Sequence, residues 1–278
     1  MLADDYNGAR LMITDDLDQA AQLLTRAFQE GHRMKMLPRA IQPSDLEQGY
    51  QIQDIVAARE PVAGWKVAAT SRAGQNHIGI SHPIAGRFGS SCILDSTGTA
   101  DMAGNLMQVA EAEFVFKFST NLPARSNLYN IDEIMACVGT LHVGIELPDS
   151  RYELFVQAGA PQLIADNACA NLFVLGPKIE SDWRGDDLTG LKISLCLDGV
   201  LATEGVGSDA LGDPKTALSW LVNHVSERGI DLLAGQFVTT GVCGDPTSVG
   251  AASHVQVEVE NYGGVEINLL RIEQGSPD

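Results

Sequence analysis

The segment spanning residues 110–118, with the sequence AEAEFVFKF, constrains the fold of this chain more than any other. Aromatic and β-branched residues dominate it, so it predicts a buried β-strand. Because successive side chains of a strand point to opposite faces, Glu111 and Glu113 share one face, while small and aromatic residues share the other. Neighbouring carboxylates repel each other. We therefore expect a proton, a basic residue or a divalent cation to offset their charge, unless the pair lies on an ordinary exposed strand face.

The length and charge of the chain restrict its class. With 278 residues, 45% of them hydrophobic, it can form one large domain or two small ones around a packed core. Its net charge of −18 repels nucleic-acid phosphates and anionic membrane surfaces. No apolar segment approaches the roughly 20 residues of a membrane-spanning helix, and the acidic residues 1–5 lack the pattern of a signal peptide. We therefore expect a cytoplasmic protein that binds neither nucleic acids nor membranes.

Two helices are predicted in the first 60 residues. Apolar residues recur at helical spacing from Thr14 to Gly31, with acidic residues at the start and a glycine at the end. Ser44-Asp45-Leu46-Glu47 is typical of a capping box, and the helix that it opens extends toward a proline at position 61. This pattern divides the chain into a helical N-terminal region, residues 1–60, and a β-rich body, residues 61–278.

Short strands and hairpins dominate the β-rich body. Asp198-Gly199 between two apolar segments and Gly263-Gly264 after an alternating valine segment are both hairpin signals. Helices are predicted at 131–138 and at 214–229, the second with Asp213 as its N-cap. Many strands joined by hairpins, with occasional helices, predict an α+β fold with a largely antiparallel, curled β-sheet.

A third carboxylate completes a candidate metal site. Glu146 lies on a predicted strand that follows the first after room for one helix. If both strands end at one cavity, Glu111, Glu113 and Glu146 form an all-oxygen site that suits Mg²⁺ or Mn²⁺ better than Zn²⁺. Lys66 lies in an apolar strand and requires a carboxylate or an anionic substrate nearby, unless its stem is buried and its ammonium group is solvated.

Three further residues are candidates for substrate binding. Arg87, between a glycine and a phenylalanine, is suited to clamp a carboxylate, although a surface arginine fits the same pattern. Asp166 and Asn167 either cap a helix or form a polar wall of a cavity. Five scattered cysteines without a Cys-x-x-Cys pair indicate reduced thiols. The sequence contains no phosphate-binding loop, dinucleotide-binding turn or serine-hydrolase elbow.

Five motifs occur in a fixed order along the chain. They are Gly64-Trp65-Lys66-Val67, Ala110-Glu111-Ala112-Glu113, Gly144-Ile145-Glu146 followed by Asp149-Ser150-Arg151, Ile164-Ala165-Asp166-Asn167-Ala168, and Leu211-Gly212-Asp213-Pro214 with Ser219-Trp220-Leu221. Together they resemble the fumarylacetoacetate hydrolase superfamily, and within it the branch of 2-keto-4-pentenoate hydratases and 4-oxalocrotonate decarboxylases. The resemblance implies a β-roll body, a homo-oligomer, a Mg²⁺ or Mn²⁺ ion held by Glu111, Glu113 and Glu146, and an active-site role for Lys66.

The resemblance also implies an enzyme that acts on a small 2-keto acid. The predicted function is that of a lyase, a metal-dependent hydratase that converts a 2-hydroxy-2,4-dienoate into a 4-hydroxy-2-oxo acid in the catabolism of aromatic or related compounds. Lys66 would stabilise the developing enolate or pair with the substrate carboxylate. Glu146, Asp149 or a metal-linked water would activate the attacking water.

Three alternatives stay open from the sequence. A 2-oxo-3-enedioate decarboxylase would use the same metal site and a cation for its second carboxylate, for which Arg87 is the candidate. An acylpyruvate C–C hydrolase would need a base dyad, for which His32 is the nearest histidine. A non-catalytic binding member of the fold would show no metal-dependent turnover. Departures from the branch pattern at Gln236, at 250–254 and at 169–170 bear on the substrate more than on the metal.

Overall fold

The structure is a computed structural model that describes residues 12–270, and six α-helices and thirteen β-strands lie in that range. The helices are α1 (Thr14–Glu30), α2 (Leu46–Ala57), α3 (Arg72–Ile78), α4 (Ile131–Cys137), α5 (Ala160–Ala165) and α6 (Pro214–Glu227). The strands are β1 (Val62–Ala68), β2 (Ile84–Gly89), β3 (Ile93–Leu94), β4 (Thr99–Asp101), β5 (Val109–Phe118), β6 (Val138–Leu147), β7 (Leu172–Lys178), β8 (Lys192–Leu197), β9 (Val200–Val206), β10 (Phe237–Val242), β11 (Thr247–Ser248), β12 (His254–Val259) and β13 (Gly263–Leu270).

Eight of these strands form one sheet, in the order β2-β1-β10-β5-β6-β7-β3, with β11 paired to β5. β1 runs parallel to β10 and β3 parallel to β7, whereas the other neighbours are antiparallel. The second sheet has the order β4-β13-β12-β8-β9, with β4 and β13 parallel. The larger sheet curls into a mixed half-barrel. The predicted α+β class with a largely antiparallel, curled sheet and N-terminal helices is therefore confirmed.

The first two helices begin and end close to their predicted positions. Gly31 ends α1 in the left-handed conformation, with φ of 66°, which glycine adopts without a steric penalty. Asp45 caps α2, because its side chain accepts the backbone N–H of Gln48 at 2.9 Å. The capping box predicted to start at Ser44 is wrong by one residue, since the Ser44 N–H instead donates to the Gln48 side chain at 2.9 Å.

Elements of the second half agree with their predictions. Asp213 caps α6 by accepting the backbone N–H of Lys215 at 2.8 Å. The turn at Asp198-Gly199 joins the antiparallel strands β8 and β9, and β12 pairs with β13 up to Gly263. Both predicted hairpins are confirmed. No helix in the described part of the chain combines the length and the apolar character needed to span a bilayer.

Two of the three hydrophobic clusters in the described residues join the helices to the rest of the fold. The larger contains buried residues of both sheets and of α6, for example Phe116, Leu195 and Leu221. The smaller joins α1, α2 and α5 through residues such as Ile52 and Leu163. Because α5 lies far along the chain, the N-terminal helices share their core with a later segment. The domain division after residue 60 stays a prediction.

Candidate active site

Three carboxylates meet where β5 and β6 lie side by side. The strand register pairs Glu111 with Glu146 and Glu113 with Gly144, and strand alternation gives Glu111 and Glu113 the same face. Glu113 and Glu146 are 1% and 0% exposed, whereas Glu111 is partly exposed. One carboxylate oxygen from each lies within 4.8 Å of the other two. The structure thus brings together the three carboxylates that the sequence grouped as metal ligands.

A break in the pairing of β10 with β5 holds one of these carboxylates in place. The register shifts between Thr239 and Val242, and the backbone N–H of Gly241 donates to Glu113 Oε2 at 2.8 Å. Gly241 has a φ of +96°, and a Cβ atom there would lie 2.5 Å from Thr70 Cγ2. Both the backbone conformation and the close approach require glycine.

Lys66 joins the carboxylates from the neighbouring strand β1. Its side chain is 4% exposed, and its Nζ donates to Glu146 Oε1 in a short ion pair. Burial lowers the pKa of Lys66, but the negative charges of Glu146 and Glu111 raise it more, so the pKa lies above its ordinary value. Lys66 is therefore buried as an ammonium group beside three carboxylates.

One ammonium group does not neutralise three carboxylates. Burial, together with the charge of Glu146, raises the pKa of Glu111 to about 7. The same causes, with the added charge of Glu111, raise the pKa of Glu113 well above its ordinary value. Without another positive charge, the site therefore takes up protons, as expected of carboxylates that cannot all be ionised together.

The donor set fits a hard divalent cation. Glu146 Oε2 is buried and has no hydrogen-bond partner among the described residues. In an octahedral site with Mg–O distances of about 2.1 Å, ligand oxygens lie about 3 Å apart when adjacent and about 4 Å apart when opposite. The spread of 4.8 Å between the carboxylate oxygens needs only a small inward movement to reach this geometry. Glu111, Glu113 and Glu146 therefore suit Mg²⁺ or Mn²⁺.

A cavity of about 800 Å³ opens onto this group, with Lys66, Glu111 and Glu113 in its lining. Lys66 is the sole cationic side chain among the described residues that line it. Much of the remaining wall is apolar. It includes Val67, Ile78, Met107, Val109, Phe155 and Leu163.

Asp149 lies next to this cavity without lining it. Its carboxylate forms a short ion pair with Arg33 and accepts the backbone N–H of Leu106 at 2.8 Å and that of Met107 at 3.4 Å. Met107 lines the cavity. Asp149 thereby fixes the segment that forms one wall, and its side chain is already engaged.

The three residues predicted to bind substrate lie elsewhere. Arg87, Asp166 and Asn167 line a second cavity, which shares no described lining residue with the first. Arg87 donates to Asp54, and Asp166 is paired with Arg151. The Asn167 amide bonds the backbone of Arg87, accepting its N–H at 2.8 Å and donating to its carbonyl at 2.6 Å. The structure therefore does not bring these side chains to the carboxylate site.

Two residues of the site were not singled out from the sequence. Gly241 positions Glu113, and Thr70, whose side chain packs where a Cβ of Gly241 would lie, lines the cavity. The pair of glycines around Cys243 was the available signal, because glycine inside a strand marks a bulge or a close approach. Burial raises the pKa of the Cys243 thiol, which agrees with an inert cysteine at that position.

Comparison with known proteins identifies relatives of this chain and of its fold. The chain is 28% identical over 264 residues to a 2-keto-4-pentenoate hydratase of Paraburkholderia phymatum, covering 92% of this chain and 99% of that protein. It is 26% identical over 209 residues to a 4-oxalocrotonate decarboxylase of Pseudomonas putida, covering 75% of this chain and 78% of that protein. The structure of 4-oxalocrotonate decarboxylase from Pseudomonas putida G7, complexed with magnesium and adipate, superposes with a TM-score of 0.84 at 22% identity, covering 94% of this chain and all of that one.

The family itself is identified by its sequence profile. The profile of the fumarylacetoacetate (FAA) hydrolase C-terminal family matches residues 91–269, which contain β5, β6 and all three carboxylates. Hydratases and decarboxylases of one branch of related enzymes are 26–29% identical to this chain. The chain therefore belongs to the fumarylacetoacetate hydrolase family, in the branch of 2-keto-4-pentenoate hydratases and 4-oxalocrotonate decarboxylases.

Proposed function

We propose that this protein is a divalent-metal-dependent hydratase that adds water to a 2-hydroxy-2,4-dienoate and releases a 4-hydroxy-2-oxo acid. The observation that carries the proposal is the asymmetry of the main cavity. Lys66, Glu111 and Glu113 lie in its lining with Glu146 grouped beside them, and apolar side chains form much of the rest. Such a cavity suits a substrate with one charged 2-keto acid group and an uncharged tail.

A decarboxylase acting on a 2-oxo-3-enedioate must hold a second carboxylate. Lys66 is the one cation among the described lining residues, and Asp209 and Asp245 add negative charge to the wall. Arg87, the sequence candidate for the second carboxylate, lines the other cavity and is paired with Asp54. An uncompensated carboxylate in this cavity would be costly. These observations favour the hydratase over the decarboxylase.

In the proposed reaction the chain supplies charge, orientation and a dry site. A bound Mg²⁺ or Mn²⁺ would act as a Lewis acid toward the C2 oxygen of the substrate. Lys66, fixed by Glu146, stabilises the enolate charge on the C2 oxygen, which develops when the 2-hydroxyl group loses its proton so that C5 can take one. The same charge develops again when the oxygen of water adds at C4, and a proton at C3 then completes the hydration. The apolar wall excludes other water from the conjugated chain.

We assign different roles to the acidic residues of the site, namely metal binding, proton transfer and positioning. Glu113 is fixed by Gly241 and serves as a ligand. Glu146 has Oε1 on Lys66, and its Oε2, which has no described partner, is the oxygen available to the cation. We propose that the same carboxylate takes a proton from the attacking water through a remaining lone pair. Asp149 is engaged by Arg33 and by backbone N–H groups, and we propose a positioning role for it.

The test follows the reaction directly. Protein stripped with EDTA is mixed with 2-hydroxypenta-2,4-dienoate, Mg²⁺ or Mn²⁺ is added, and loss of dienol absorbance is recorded while NMR identifies the product. Metal-dependent formation of 4-hydroxy-2-oxopentanoate is expected, and Glu113→Gln should abolish it because a ligand is lost while the fold is kept. A wild-type rate in that variant would refute the site assignment.

The decarboxylase is the second candidate, because several relatives at 26–28% identity are 4-oxalocrotonate decarboxylases. Release of CO₂ from a 2-oxo-3-enedioate, without hydration of the dienoate, would replace the first proposal with this one. C–C hydrolysis is less supported, since His32 pairs at 3.2 Å with Glu30 on the exposed end of α1 and does not line the main cavity. Absence of metal-dependent turnover with every substrate would favour the non-catalytic alternative.

A further inference from the structure

Thr239, in β10, lies in the layer behind the three carboxylates. The strand register pairs it with Lys66 of β1 on one side and with Val115 of β5 on the other. Directly paired residues project to the same face of a sheet, and Val115 shares its face with Glu113 by strand alternation. The Thr239 side chain therefore points to the carboxylate face from both neighbouring strands. It is 0% exposed and is not among the described residues that line the main cavity.

The hydroxyl group of Thr239 is not explained by packing alone. Its Oγ1 atom is buried and is not aligned for a hydrogen bond with any described residue. The side chains of Val115 and Phe237, its neighbours on the same face, belong to an apolar cluster and offer no acceptor. A buried hydroxyl group without a partner is unfavourable, so a valine would suit this apolar environment better than a threonine.

Glu113 is the acceptor that lies near this hydroxyl group. Burial, together with the negative charge of Glu146, raises the pKa of Glu113, and hydrogen bonding by the Thr239 hydroxyl group opposes that rise. Glu113 Oε2 already accepts the backbone N–H of Gly241 at 2.8 Å. A carboxylate held by one donor can still rotate about its last bond, whereas a second donor fixes the plane in which its oxygens lie.

Thr240, the next residue of β10, provides an internal comparison. It is also 0% exposed, but strand alternation turns its side chain to the opposite face. There its hydroxyl group donates to the backbone carbonyl of Phe114 at 3.1 Å. Thr240 therefore has a structural hydrogen bond inside the sheet, and Thr239 does not. The two threonines form a matched pair that differs in the partner of the hydroxyl group.

We propose that Thr239 is a positioning residue of the carboxylate site, whose hydroxyl group donates to Glu113 and holds that carboxylate in the orientation that binds a divalent cation. This inference rests on the proposed role of Glu113 as a metal ligand. It adds a residue that touches neither the cation nor the substrate and acts through the ligand. Loss of a hydrogen bond to a metal ligand typically lowers metal affinity about 10–100-fold.

The test measures Mn²⁺ affinity by electron paramagnetic resonance and, without metal, the urea midpoint of unfolding. Thr239→Val keeps the shape of the side chain and removes the hydroxyl group, so Mn²⁺ should bind about tenfold more weakly. The urea midpoint of this variant should not fall, because the hydroxyl group is aligned with no partner in the fold. Thr239→Ser keeps the hydroxyl group and should retain most of the Mn²⁺ affinity. Thr240→Val should show the reverse pattern, with a lower midpoint because the Phe114 carbonyl loses its donor, and with Mn²⁺ affinity near that of the wild type.

Wild-type Mn²⁺ affinity in Thr239→Val, or an equal loss in Thr239→Ser, would overturn the inference, because the hydroxyl group would then have no role. An equal loss of affinity in Thr240→Val would assign the effect to distortion of β10 and would overturn it as well. Glu113→Gln separates this failure from that of the site assignment, which fails only if Mn²⁺ also binds that variant like the wild type. If Thr239→Val does not fold, Thr239→Ala and Thr239→Ser repeat the comparison, since they differ in the hydroxyl group alone.

Discussion

Two buried ion pairs of this molecule have similar burial but differ in hydrogen bonding and in charge balance. The pairs are Lys66–Glu146 and Arg151–Asp166, and each of the four residues is 4% exposed or less. Asp166 is saturated, because it accepts hydrogen bonds from Ser150 Oγ and from the backbone and side chain of Arg151, and its charge is matched by one guanidinium. Glu146, in contrast, keeps an oxygen without a described partner and has two further carboxylates beside it.

The difference separates a structural pair from a functional one. A saturated, neutral pair gains nothing from another ligand and holds two chain segments together. A group with surplus negative charge and an unpartnered oxygen is unfavourable until a cation joins it, and this is the arrangement expected of an active site. Charge balance and hydrogen-bond saturation, more than burial, therefore distinguish the two sites.

The largest effect should come from breaking the saturated pair. Arg151→Met leaves Asp166 buried without its counter-charge and should lower the free energy of unfolding by about 3–5 kcal/mol, as measured by urea denaturation. Lys192→Met serves as the control. It removes an exposed pair with Glu204 and should cost at most about 1 kcal/mol. A similar small loss in Arg151→Met would show that saturation does not make this pair structural.

Breaking the unsaturated pair should affect turnover more than stability. Lys66→Met keeps the three carboxylates, so Mn²⁺ binding, measured by electron paramagnetic resonance, should persist. Turnover should fall about 10²–10³-fold, because a preorganised charge that stabilises the developing enolate is lost. Wild-type turnover would remove Lys66 from the mechanism, while loss of Mn²⁺ binding would show that Lys66 organises the carboxylates.

A smaller effect should follow from disturbing the backbone that supports the metal ligands. Gly241→Ala places a methyl group against Thr70 and displaces the N–H that holds Glu113, so metal affinity should fall about 10–100-fold. Gly235→Ala is the matched control. Gly235 also has a positive φ, of +90°, but a Cβ atom there meets nothing within 4 Å. An equal loss of metal affinity in both variants would show that backbone strain alone, and not the contact with Thr70, causes the loss.

The sequence predicted the unsaturated site better than the saturated one, for a physical reason. Glu111 and Glu113 share a face by strand alternation, and their meeting with Glu146 needs only the pairing of two strands separated by one helix. Arg87 and Asp166 have partners that depend on how α2 and the turn after α5 pack against the sheet. Local patterns do not determine such tertiary partners, so a sequence pattern alone did not separate a saturated acid from a ligand.

The smallest predicted effect is a loss of folding stability at acidic pH that does not depend on either buried ion pair. His224 stacks on Trp220 with ring centroids 4.9 Å apart, and burial, together with the charge of Arg228, lowers its pKa to about 4. The unfolded chain binds a proton near pH 6.5 and the folded chain does not, so stability is present above that value and is lost as the pH falls toward 4. Between pH 7 and pH 5.5 the loss should be about 1 kcal/mol.

His224→Gln should remove this loss in urea unfolding at both pH values, with or without Mg²⁺, because the residue lies outside the metal cavity. Other charged groups near His224, namely Arg87, Asp54 and His82, stay unchanged in that variant. An acid sensitivity that survives His224→Gln but disappears with saturating Mg²⁺ would instead assign it to the carboxylates, and the unsaturated site would then govern stability as well as turnover.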